Sequence, residues 1–285
     1  MTVNVVFGCG FIGSRIAADL RALKRGVVSL VRTETSRNSL EEGGFDCLQV
    51  DLDQRFVTPL FENSIDTLFY LVPPPGSGVL DTRSTNAQNL ISANRVEHIV
   101  LVSATGVYGD CGGEWIDESR PVNPLADRSI RRVDAECQWS DWAVNRGVSL
   151  TILRVSGIYS SDRLPEKRIR AQTPVLAEAI SPFSNRIHAD DLVSLCTAAA
   201  DVRYDGVINV ADDEPTTMTD YFFRVADALK LPRPPEISLA EAEQRFSGGM
   251  MSYLRESRRI DNTRLKRELG MTLRFPTLAE GLRDV

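Results

Sequence analysis

The chain has 285 residues, of which 42% are hydrophobic and 25% are charged, and its net charge is −6 at pH 7. This composition is ordinary for a globular enzyme, and the length suits one large domain or two closely packed ones. The acidic balance argues against a nucleic-acid-binding surface, and no apolar run approaches the roughly 20 residues that span a bilayer.

Five cysteines are scattered along the chain without a Cys-x-x-Cys pair: Cys9, Cys47, Cys111, Cys137 and Cys196. This spacing favours free thiols in a reducing compartment over a metal site or a disulfide framework. Because the sequence opens on an apolar strand, we expect no signal peptide. The expectation is therefore a cytoplasmic protein that holds no metal and does not associate with a membrane.

The first predicted strand runs directly into a Gly-x-Gly-x-x-Gly turn that opens a helix. In such a turn Gly8 permits a sharp change of direction, Gly10 lets a pyrophosphate approach the backbone, and Gly13 lets the helix pack closely on the strand. The unpaired N–H groups at the start of the helix, around Phe11 and Ile12, are suited to bind phosphate. These five residues therefore predict a dinucleotide site, with an ordinary strand–helix turn as the alternative.

Short apolar runs alternate with helical patterns over the first half of the chain and return once in the second half. In chain order we predict strand 3–7, helix 12–24, strands 27–31, 46–50 and 66–72, helix 82–94, strand 98–103, helix 128–145, strand 149–155 and strand 207–210. Such alternation is typical of a parallel sheet with helices on both faces. The predicted fold class is therefore α/β, a Rossmann-type doubly wound parallel sheet.

Beyond residue 160 the alternation loosens, and prolines interrupt the polar segment Arg163–Ser184 and the break Leu231–Pro235. We therefore predict a dinucleotide-binding domain and a smaller, discontinuous C-terminal substrate lobe that closes over the carboxyl ends of the strands. The predicted boundaries are 1–160 with about 187–211 for the dinucleotide-binding domain, and about 161–186 with 212–285 for the lobe.

The ends of the second, third and fourth strands indicate which nicotinamide cofactor to expect. An NAD site carries an acidic residue after the second strand to bind the ribose, whereas this chain has Arg32. A guanidinium pairs well with a 2′-phosphate, so Arg32 favours NADP, with NAD still open and a solvated arginine as the alternative. Asp51 and Leu52 follow the third strand, where Asp51 suits the adenine amine or a plain turn. Val72 and Pro73 follow the fourth strand and are predicted to line the cofactor.

Eight segments carry a pattern that extends in order along nearly the whole chain. They are Gly8–Gly13, Thr85–Ile91, Val102–Gly109, Leu153–Tyr159, Arg186–Leu192, Ile208–Glu214, Asn262–Gly270 and Phe275–Leu282. Together they resemble the atypical or extended short-chain dehydrogenase/reductases of the NAD(P)-dependent epimerase/dehydratase kind. The resemblance implies a Rossmann-type fold, a bound NAD(P), a small-molecule substrate, a homodimer formed through a helical face, and a structural role for His188.

Members of that family normally carry a tyrosine and, four residues later, a lysine, which together move the substrate proton. Aligned on Glu136, this chain has Arg128 in the tyrosine position and Arg132 in the lysine position, and Ala104 stands in the usual serine position. No tyrosine of the chain is followed by a lysine four residues later. A guanidinium keeps its proton at working pH, so Arg128 is no general base. The two arginines suit an anion clamp or, with the neighbouring Arg131, a solvated basic face.

Three hydroxyl side chains, Ser103, Thr105 and Tyr108, follow the fifth predicted strand of the sheet. The carboxyl ends of such strands are where parallel sheets bind ligands. We therefore predict that Ser103 or Thr105 hydrogen-bonds to a substrate oxygen and that Tyr108 is the nearest proton donor. The alternative is that all three only shape the pocket.

These observations lead to one main hypothesis and two alternatives. The main hypothesis is an NADP(H)-preferring oxidoreductase or epimerase-like enzyme that acts on a small sugar-like or carbonyl substrate. The first alternative is a catalytically silent dinucleotide-binding or redox-sensing protein of the same fold. The second and weaker alternative is a scaffold subunit that keeps the fold alone, because a fold does not by itself imply a function.

Overall fold

A computed structural model describes residues 2–55, 64–283 and 285 of the chain. Its strands are β1 (Thr2–Phe7), β2 (Val27–Val31), β3 (Cys47–Gln49), β4 (Ser64–Tyr70), β5 (Val96–Ala104), β6 (Trp115–Ile116), β7 (Ser149–Val155), β8 (Gly157–Tyr159), β9 (Val175–Leu176), β10 (Phe183–Ser184), β11 (Arg186–His188), β12 (Gly206–Val210), β13 (Thr216–Thr217), β14 (Glu236–Ile237) and β15 (Arg259–Ile260). Its helices are α1 (Phe11–Ala22), α2 (Glu34–Glu42), α3 (Thr82–Leu90), α4 (Asp127–Arg146), α5 (Glu166–Arg170), α6 (Ala189–Val202), α7 (Met218–Ala228), α8 (Leu239–Arg245), α9 (Gly248–Leu254), α10 (Thr263–Leu269) and α11 (Leu278–Gly281).

Seven strands form the central sheet in the order β12-β7-β5-β4-β1-β2-β3, and every neighbouring pair is parallel. The chain runs outward from β1 to β3, crosses back to β4, and then runs outward to β12. The predicted Rossmann-type doubly wound sheet is therefore confirmed. In such sheets the point where the strand order reverses, here between β1 and β4, leaves a crevice at the carboxyl edge.

Each predicted strand and helix overlaps an element of the structure, but three helices of the first 202 residues, α2, α5 and α6, were not predicted. Helix α2 has no buried residue and therefore no apolar face that a sequence pattern could reveal. It is stabilised locally, because the Thr33 hydroxyl accepts a hydrogen bond from the Ser36 backbone nitrogen. Helix α6 has the opposite character, because it is buried on most sides and so lacks a clear amphipathic period.

Apolar side chains cover both faces of the sheet. On β1, successive side chains point to opposite faces, so Val5 and Val6 pack into two different clusters although neither is exposed. The Val6 cluster includes Ile16 of α1 and Leu192 of α6, and the Val5 cluster includes Trp139 of α4. Burying an aliphatic side chain of this size contributes roughly 1.5–3 kcal/mol. This burial fixes β1 at the centre of the sheet, and with it the glycine loop that follows.

The C-terminal segment contributes to two regions of the protein. Tyr159, Tyr221 and Leu278 pack together in a cluster away from the sheet. Leu265 of α10, in contrast, packs against the sheet in the same cluster as Val6. The division into a dinucleotide-binding domain and a substrate lobe stays a prediction. Within the residues described, no helix is both long and apolar enough to cross a membrane.

Candidate functional site

The glycine loop after β1 packs closely against the protein at Gly8 and Gly13, and it faces open space at Gly10. Gly8 has a φ of +83°, and a Cβ there would lie 3.0 Å from the Val72 backbone nitrogen. A Cβ on Gly13 would lie 2.6 Å from the Gly8 carbonyl oxygen, so only glycine lets α1 begin this close to β1. A Cβ on Gly10 would meet no atom within 4 Å. The loop therefore offers open space where the sequence predicts the pyrophosphate.

The first turn of α1 has the character of an anion site. The helix begins at Phe11, and no side chain caps it and no acidic residue lies in the first turn. Ile12 is buried in the core, so the helix start is fixed in place. The guanidinium groups of Arg15 and Arg163 lie 4.5 and 4.4 Å from the centroid of the Phe11 ring. Arg15 is already paired with Asp162 and Asp190. The free N–H groups, the helix dipole and Arg163 favour a phosphate, so the residues present fit a dinucleotide pyrophosphate.

A cavity of about 190 Å³ lies beside the glycine loop, and we call it the nucleoside cavity. It brings together six of the predicted cofactor residues: Gly8, Arg32, Asp51, Leu52, Val72 and Pro73. Arg32 is exposed and forms no ion pair with the residues that the structure describes. Asp51 Oδ1 accepts a hydrogen bond from the Asp53 backbone nitrogen at 3.1 Å, as expected in a plain turn. The predicted residues are thus gathered, and the two interpretations of Asp51 stay open.

Arg83 also lines the nucleoside cavity, although the sequence analysis did not identify it. Its guanidinium contacts both carboxylate oxygens of Asp53 at 2.6 and 2.7 Å and donates to the Pro73 carbonyl at 2.9 Å. Arg83 holds the pKa of the Asp53 carboxyl below its ordinary value. It therefore links the segment after β3 to the segment after β4. No local motif marks this arginine, because its partner lies 30 residues away in the sequence.

A second cavity of about 520 Å³ opens next to the first, and we call it the substrate cavity. It is lined by the proline segment after β4, the turn after β5, one face of α4, and residues from 183–186 and 253–258. Pro73 lines both cavities, so the two are adjacent at the carboxyl edge of the sheet. This is the edge at which open parallel sheets bind ligands.

Only Thr105, of the three hydroxyl residues predicted at the reaction centre, lines the substrate cavity. Tyr108 is 1% exposed, and its hydroxyl donates a hydrogen bond to Asn209 Oδ1 at 2.7 Å. Burial raises the pKa of this phenol above its ordinary value. Ser103 is 3% exposed and donates to Glu136 at 2.5 Å. Ser103, within β5, and Tyr108, at the end of the 3₁₀ turn Thr105–Tyr108, are therefore buried and do not line the cavity, and their contact with a ligand stays a prediction.

The partner of Ser103 is a buried ion pair. Arg154 Nη2 donates to Glu136 Oε2 at 2.8 Å, and its Nε lies 3.2 and 3.3 Å from the two carboxylate oxygens. The Arg154 guanidinium also lies 4.8 Å from the centroid of the Tyr108 ring. None of these four side chains is among the residues that line the two cavities. These four side chains therefore stabilise the structure beneath the cavities and do not line them.

Helix α4 presents three arginines, Arg128, Arg131 and Arg132, to the substrate cavity. Arg131 is 7% exposed and donates to the Gly78 carbonyl. Arg132 donates to the Val72 and Val102 carbonyls at 3.4 and 3.1 Å, and burial lowers the pKa of its guanidinium. All three line the same cavity, and their role as an anion clamp stays a prediction.

Four further residues of the substrate cavity were missed by the sequence analysis: Tyr253, Glu256, Arg186 and Arg258. The Arg128 guanidinium lies 3.5 Å from the centroid of the Tyr253 ring. Glu256 accepts from Arg258 at 3.0 Å and lies 3.9 Å from Arg128. Arg186 stacks on Tyr221, 4.0 Å from the ring centroid. These residues come from distant parts of the chain, and no spacing along the sequence connects them.

The two histidines have structural environments. His188 caps α6, because its Nδ1 accepts from the Asp190 backbone nitrogen, and its ring packs against Tyr159 and Phe275. His98 is fully buried between Ser149 and Thr151, and burial lowers its pKa to about 4. Over the described ranges, no group of three or more His, Cys, Asp or Glu residues is placed to hold a metal ion.

Comparison with known proteins relates this geometry to a family. The model of the NAD dependent epimerase/dehydratase family matches residues 5–211. Protein YeeZ of Escherichia coli K12 is 25% identical over 281 residues, which are 95% of each chain. A functionally unknown conserved protein from Silicibacter pomeroyi has a TM-score of 0.83 and 26% identity, over 99% of this chain and 97% of that one. The UDP-glucuronic acid 4-epimerase from Bacillus cereus in complex with NAD shares the fold, with a TM-score of 0.77 and 17% identity, over 99% of this chain and 96% of that one.

Proposed function

This chain belongs to the NAD-dependent epimerase/dehydratase family, and we propose that it is an NADP(H)-preferring oxidoreductase. Its substrate is a small molecule that presents a hydroxyl or carbonyl group in the substrate cavity, either sugar-like or a simple carbonyl compound. One observation carries the proposal: a nucleoside cavity beside the glycine loop and a cavity around Thr105 share Pro73. An extended dinucleotide would have one end in each cavity. When bound, its nicotinamide supplies hydride transfer.

The preference for NADP(H) rests on the charge around the nucleoside cavity. Arg32 is exposed at its edge and has no carboxylate partner among the described residues, so its guanidinium is free for a 2′-phosphate. Arg83, the other guanidinium of this cavity, is already paired with Asp53. Gly8, Gly10 and the first turn of α1 would hold the pyrophosphate whichever cofactor binds.

The residues of the substrate cavity bind and polarise the substrate oxygen rather than move its proton. The Thr105 hydroxyl, on a residue that lines the cavity, would hydrogen-bond to that oxygen. Arg128 and Arg132 would stabilise negative charge that develops on it, because preorganised donors in a cavity stabilise an oxyanion. A guanidinium does not release its proton, so neither arginine is the acid or the base. The proton is therefore exchanged with water that enters the cavity.

Calorimetric titration of the full chain with NADPH and NADH tests the cofactor proposal. NADPH should bind about tenfold or more tightly than NADH, because a charge-assisted guanidinium–phosphate contact contributes roughly 1.5–3 kcal/mol. Arg32→Ala should remove this preference, and Arg267→Ala should preserve it, because Arg267 is exposed and pairs with Glu268. Tighter binding of NADH by the wild-type protein would contradict the proposal.

A second candidate function is a catalytically silent dinucleotide sensor. It is favoured by one observation, the burial of the Tyr108 hydroxyl against Asn209 away from the cavity. A panel of aldehydes, ketones and sugar derivatives, followed by NADPH absorbance, separates the two functions. Turnover that Thr105→Val reduces at least tenfold supports the enzyme. NADPH binding with no turnover on any compound supports the sensor.

The location and assembly of the protein are part of the same proposal. We place it in the cytoplasm, where its five cysteines, all free, would remain reduced. We also propose that it forms a homodimer through a helical face. Sedimentation of the purified chain tests the dimer, and a mass equal to one chain at all concentrations would exclude it.

A further inference from the structure

The substrate cavity is strongly basic, although the chain as a whole carries a net charge of −6. Its lining includes five arginines and one acidic residue: Arg128, Arg131, Arg132, Arg186, Arg258 and Glu256. Charged side chains that are removed from water are normally paired. A guanidinium of this cavity that has no carboxylate partner therefore leaves a positive charge that an anionic ligand can neutralise.

Two of the arginines share the single carboxylate. Arg258 lies 3.0 Å from Glu256, and Arg128 lies 3.9 Å from it. Both also donate to neutral groups, Arg258 to the Gly109 carbonyl and Arg128 to the Ser252 hydroxyl. The single Glu256 carboxylate therefore neutralises at most one of these two guanidinium groups. No other acidic residue that the structure describes lines the cavity to pair with the remaining three arginines.

The remaining three arginines hydrogen-bond only to backbone carbonyls. Arg131 donates to Gly78, Arg132 to two carbonyls of neighbouring strands, and Arg186 to Asn185. Across residues 2–55, 64–283 and 285, none of the three forms an ion pair within 4.0 Å. The Nε atoms of Arg131 and Arg186 are buried and have no hydrogen-bond partner there.

The nearest acidic groups supply negative charge to Arg132 but not to Arg131 or Arg186. Asp81 and Glu136 act on Arg132 through space; Glu136 is paired with Arg154, whereas Asp81 accepts only from the neutral Ser84 hydroxyl and backbone N–H groups. Asp212 acts on Arg186 in the same way, but burial raises its pKa to about 8, so it is mostly protonated at neutral pH. Among the described residues, Arg131 and Arg186 are therefore the arginines of this cavity whose positive charge has no carboxylate partner.

We propose that the substrate cavity binds an oxyanion group of the substrate, a carboxylate or a phosphate, between Arg131 on α4 and Arg186 on β11. The inference deepens the proposed function and rests on it for the role of this ligand as substrate. The planar guanidinium fork matches both oxyanions, and Arg131 and Arg186 each retain an unused Nε–H. The enzyme therefore selects anionic over neutral substrates.

Oxyanion titration of the full chain tests this site. Inorganic phosphate and citrate are titrated separately by calorimetry at constant ionic strength, each with and without saturating NADP⁺. NADP⁺ fills the pyrophosphate site at Gly10, so binding that persists in its presence belongs to the substrate cavity. Stronger binding of phosphate indicates a phosphate group on the substrate, and stronger binding of citrate indicates a carboxylate.

Arg131→Gln and Arg186→Gln should each weaken the affinity for the bound oxyanion about tenfold or more. The matched control is Arg170→Gln, which removes a largely exposed guanidinium paired with Glu166 and should change the affinity by less than twofold. Two variants on different elements are used so that a folding defect in one, detected by circular dichroism, leaves the other informative.

Absence of binding for both oxyanions, or equal affinities in all four proteins, would overturn the inference. That result combined with tight NADPH binding would leave the proposed function standing. Arginine-dependent oxyanion binding in a protein that fails to bind NADPH would support the site and reject the proposed function. The two proposals therefore fail separately.

Discussion

Replacement of Glu136 by glutamine is expected to destabilise the fold by about 3 kcal/mol. Arg154 and Glu136 are only 8% and 5% exposed, so the substitution leaves a buried guanidinium without its countercharge. Breaking a buried pair from one side costs roughly 3–5 kcal/mol. Glutamine keeps one acceptor oxygen for the Arg154 Nη2 donor, which is now 2.8 Å from Glu136 Oε2. The expected loss is therefore at the lower end of that range.

Urea unfolding at pH 7, followed by far-UV circular dichroism, measures the change in the free energy of unfolding. The matched control is Glu166→Gln, which breaks an exposed pair with Arg170 at 2.7 Å and should cost no more than about 0.5 kcal/mol. NADPH affinity, measured where both proteins are folded, should stay within twofold of the wild type. Neither Glu136 nor Arg154 is among the cavity-lining residues, so no direct contact with a ligand is lost.

A loss below about 1 kcal/mol for Glu136→Gln, or a loss equal to that of the control, would refute this account of the buried pair. Replacing both partners, as Glu136→Leu with Arg154→Met, should recover most of the stability, because two apolar groups leave no buried charge. Ser103→Ala, which removes only the hydrogen bond to Glu136, should cost about 1 kcal/mol and leave turnover unchanged. A large loss of turnover in Ser103→Ala would instead support the catalytic role that the sequence predicts.

Three further variants test the glycine loop, the buried phenol and the buried carboxyl. Gly13→Ala places a Cβ 2.6 Å from the Gly8 carbonyl and should lower NADPH affinity at least tenfold by calorimetry, whereas Gly26→Ala, with its nearest atom at 3.7 Å, should not. Tyr108→Phe should cost about 1 kcal/mol in urea unfolding and leave turnover intact; loss of turnover would restore the phenol as proton donor. The pKa of Asp212 is about 8 in the folded state and near 4 in the unfolded state, so between these values only the folded state binds the proton. The free energy of unfolding of the wild type should therefore fall as the pH rises, by up to about 1.4 kcal/mol per pH unit between pH 6.5 and 7.5. Asp212→Asn should remove that slope, and an unchanged slope in unfolding curves would contradict the raised pKa.

The parts of the fold that were predicted from the sequence are those with local causes. The turn at Gly8, Gly10 and Gly13 needs glycine for reasons of backbone geometry, and the structure has those close approaches. The sheet strands are short apolar runs, because both faces of the sheet are covered by helices. Helix α2, with no buried residue, has no such pattern and was missed.

The substrate cavity was predicted less well, because its residues meet only through the fold. Arg186 and Arg258 come from separate segments beyond the sheet strand β7, and Glu256 pairs with an arginine of α4 that precedes it by more than a hundred residues. The position of Tyr108 has a local cause, since the 3₁₀ turn Thr105–Tyr108 brings Thr105 rather than Tyr108 to the cavity. Propensity does not distinguish that turn from a continued strand or loop.

In the proposed function, Arg128 and Arg132 beside the reacting oxygen change how a substrate hydroxyl can lose its proton. A guanidinium about 4 Å from the oxygen, at an effective dielectric constant near 20, stabilises the alkoxide by about 4 kcal/mol. That energy corresponds to a decrease of about 3 in the pKa of the hydroxyl, which makes transfer of its proton to water easier. An oxyanion elsewhere on the substrate would neutralise one guanidinium, so a single arginine could not serve both purposes. Five arginines opposite one glutamate leave enough positive charge to hold the oxyanion and still lower the pKa of the reacting hydroxyl.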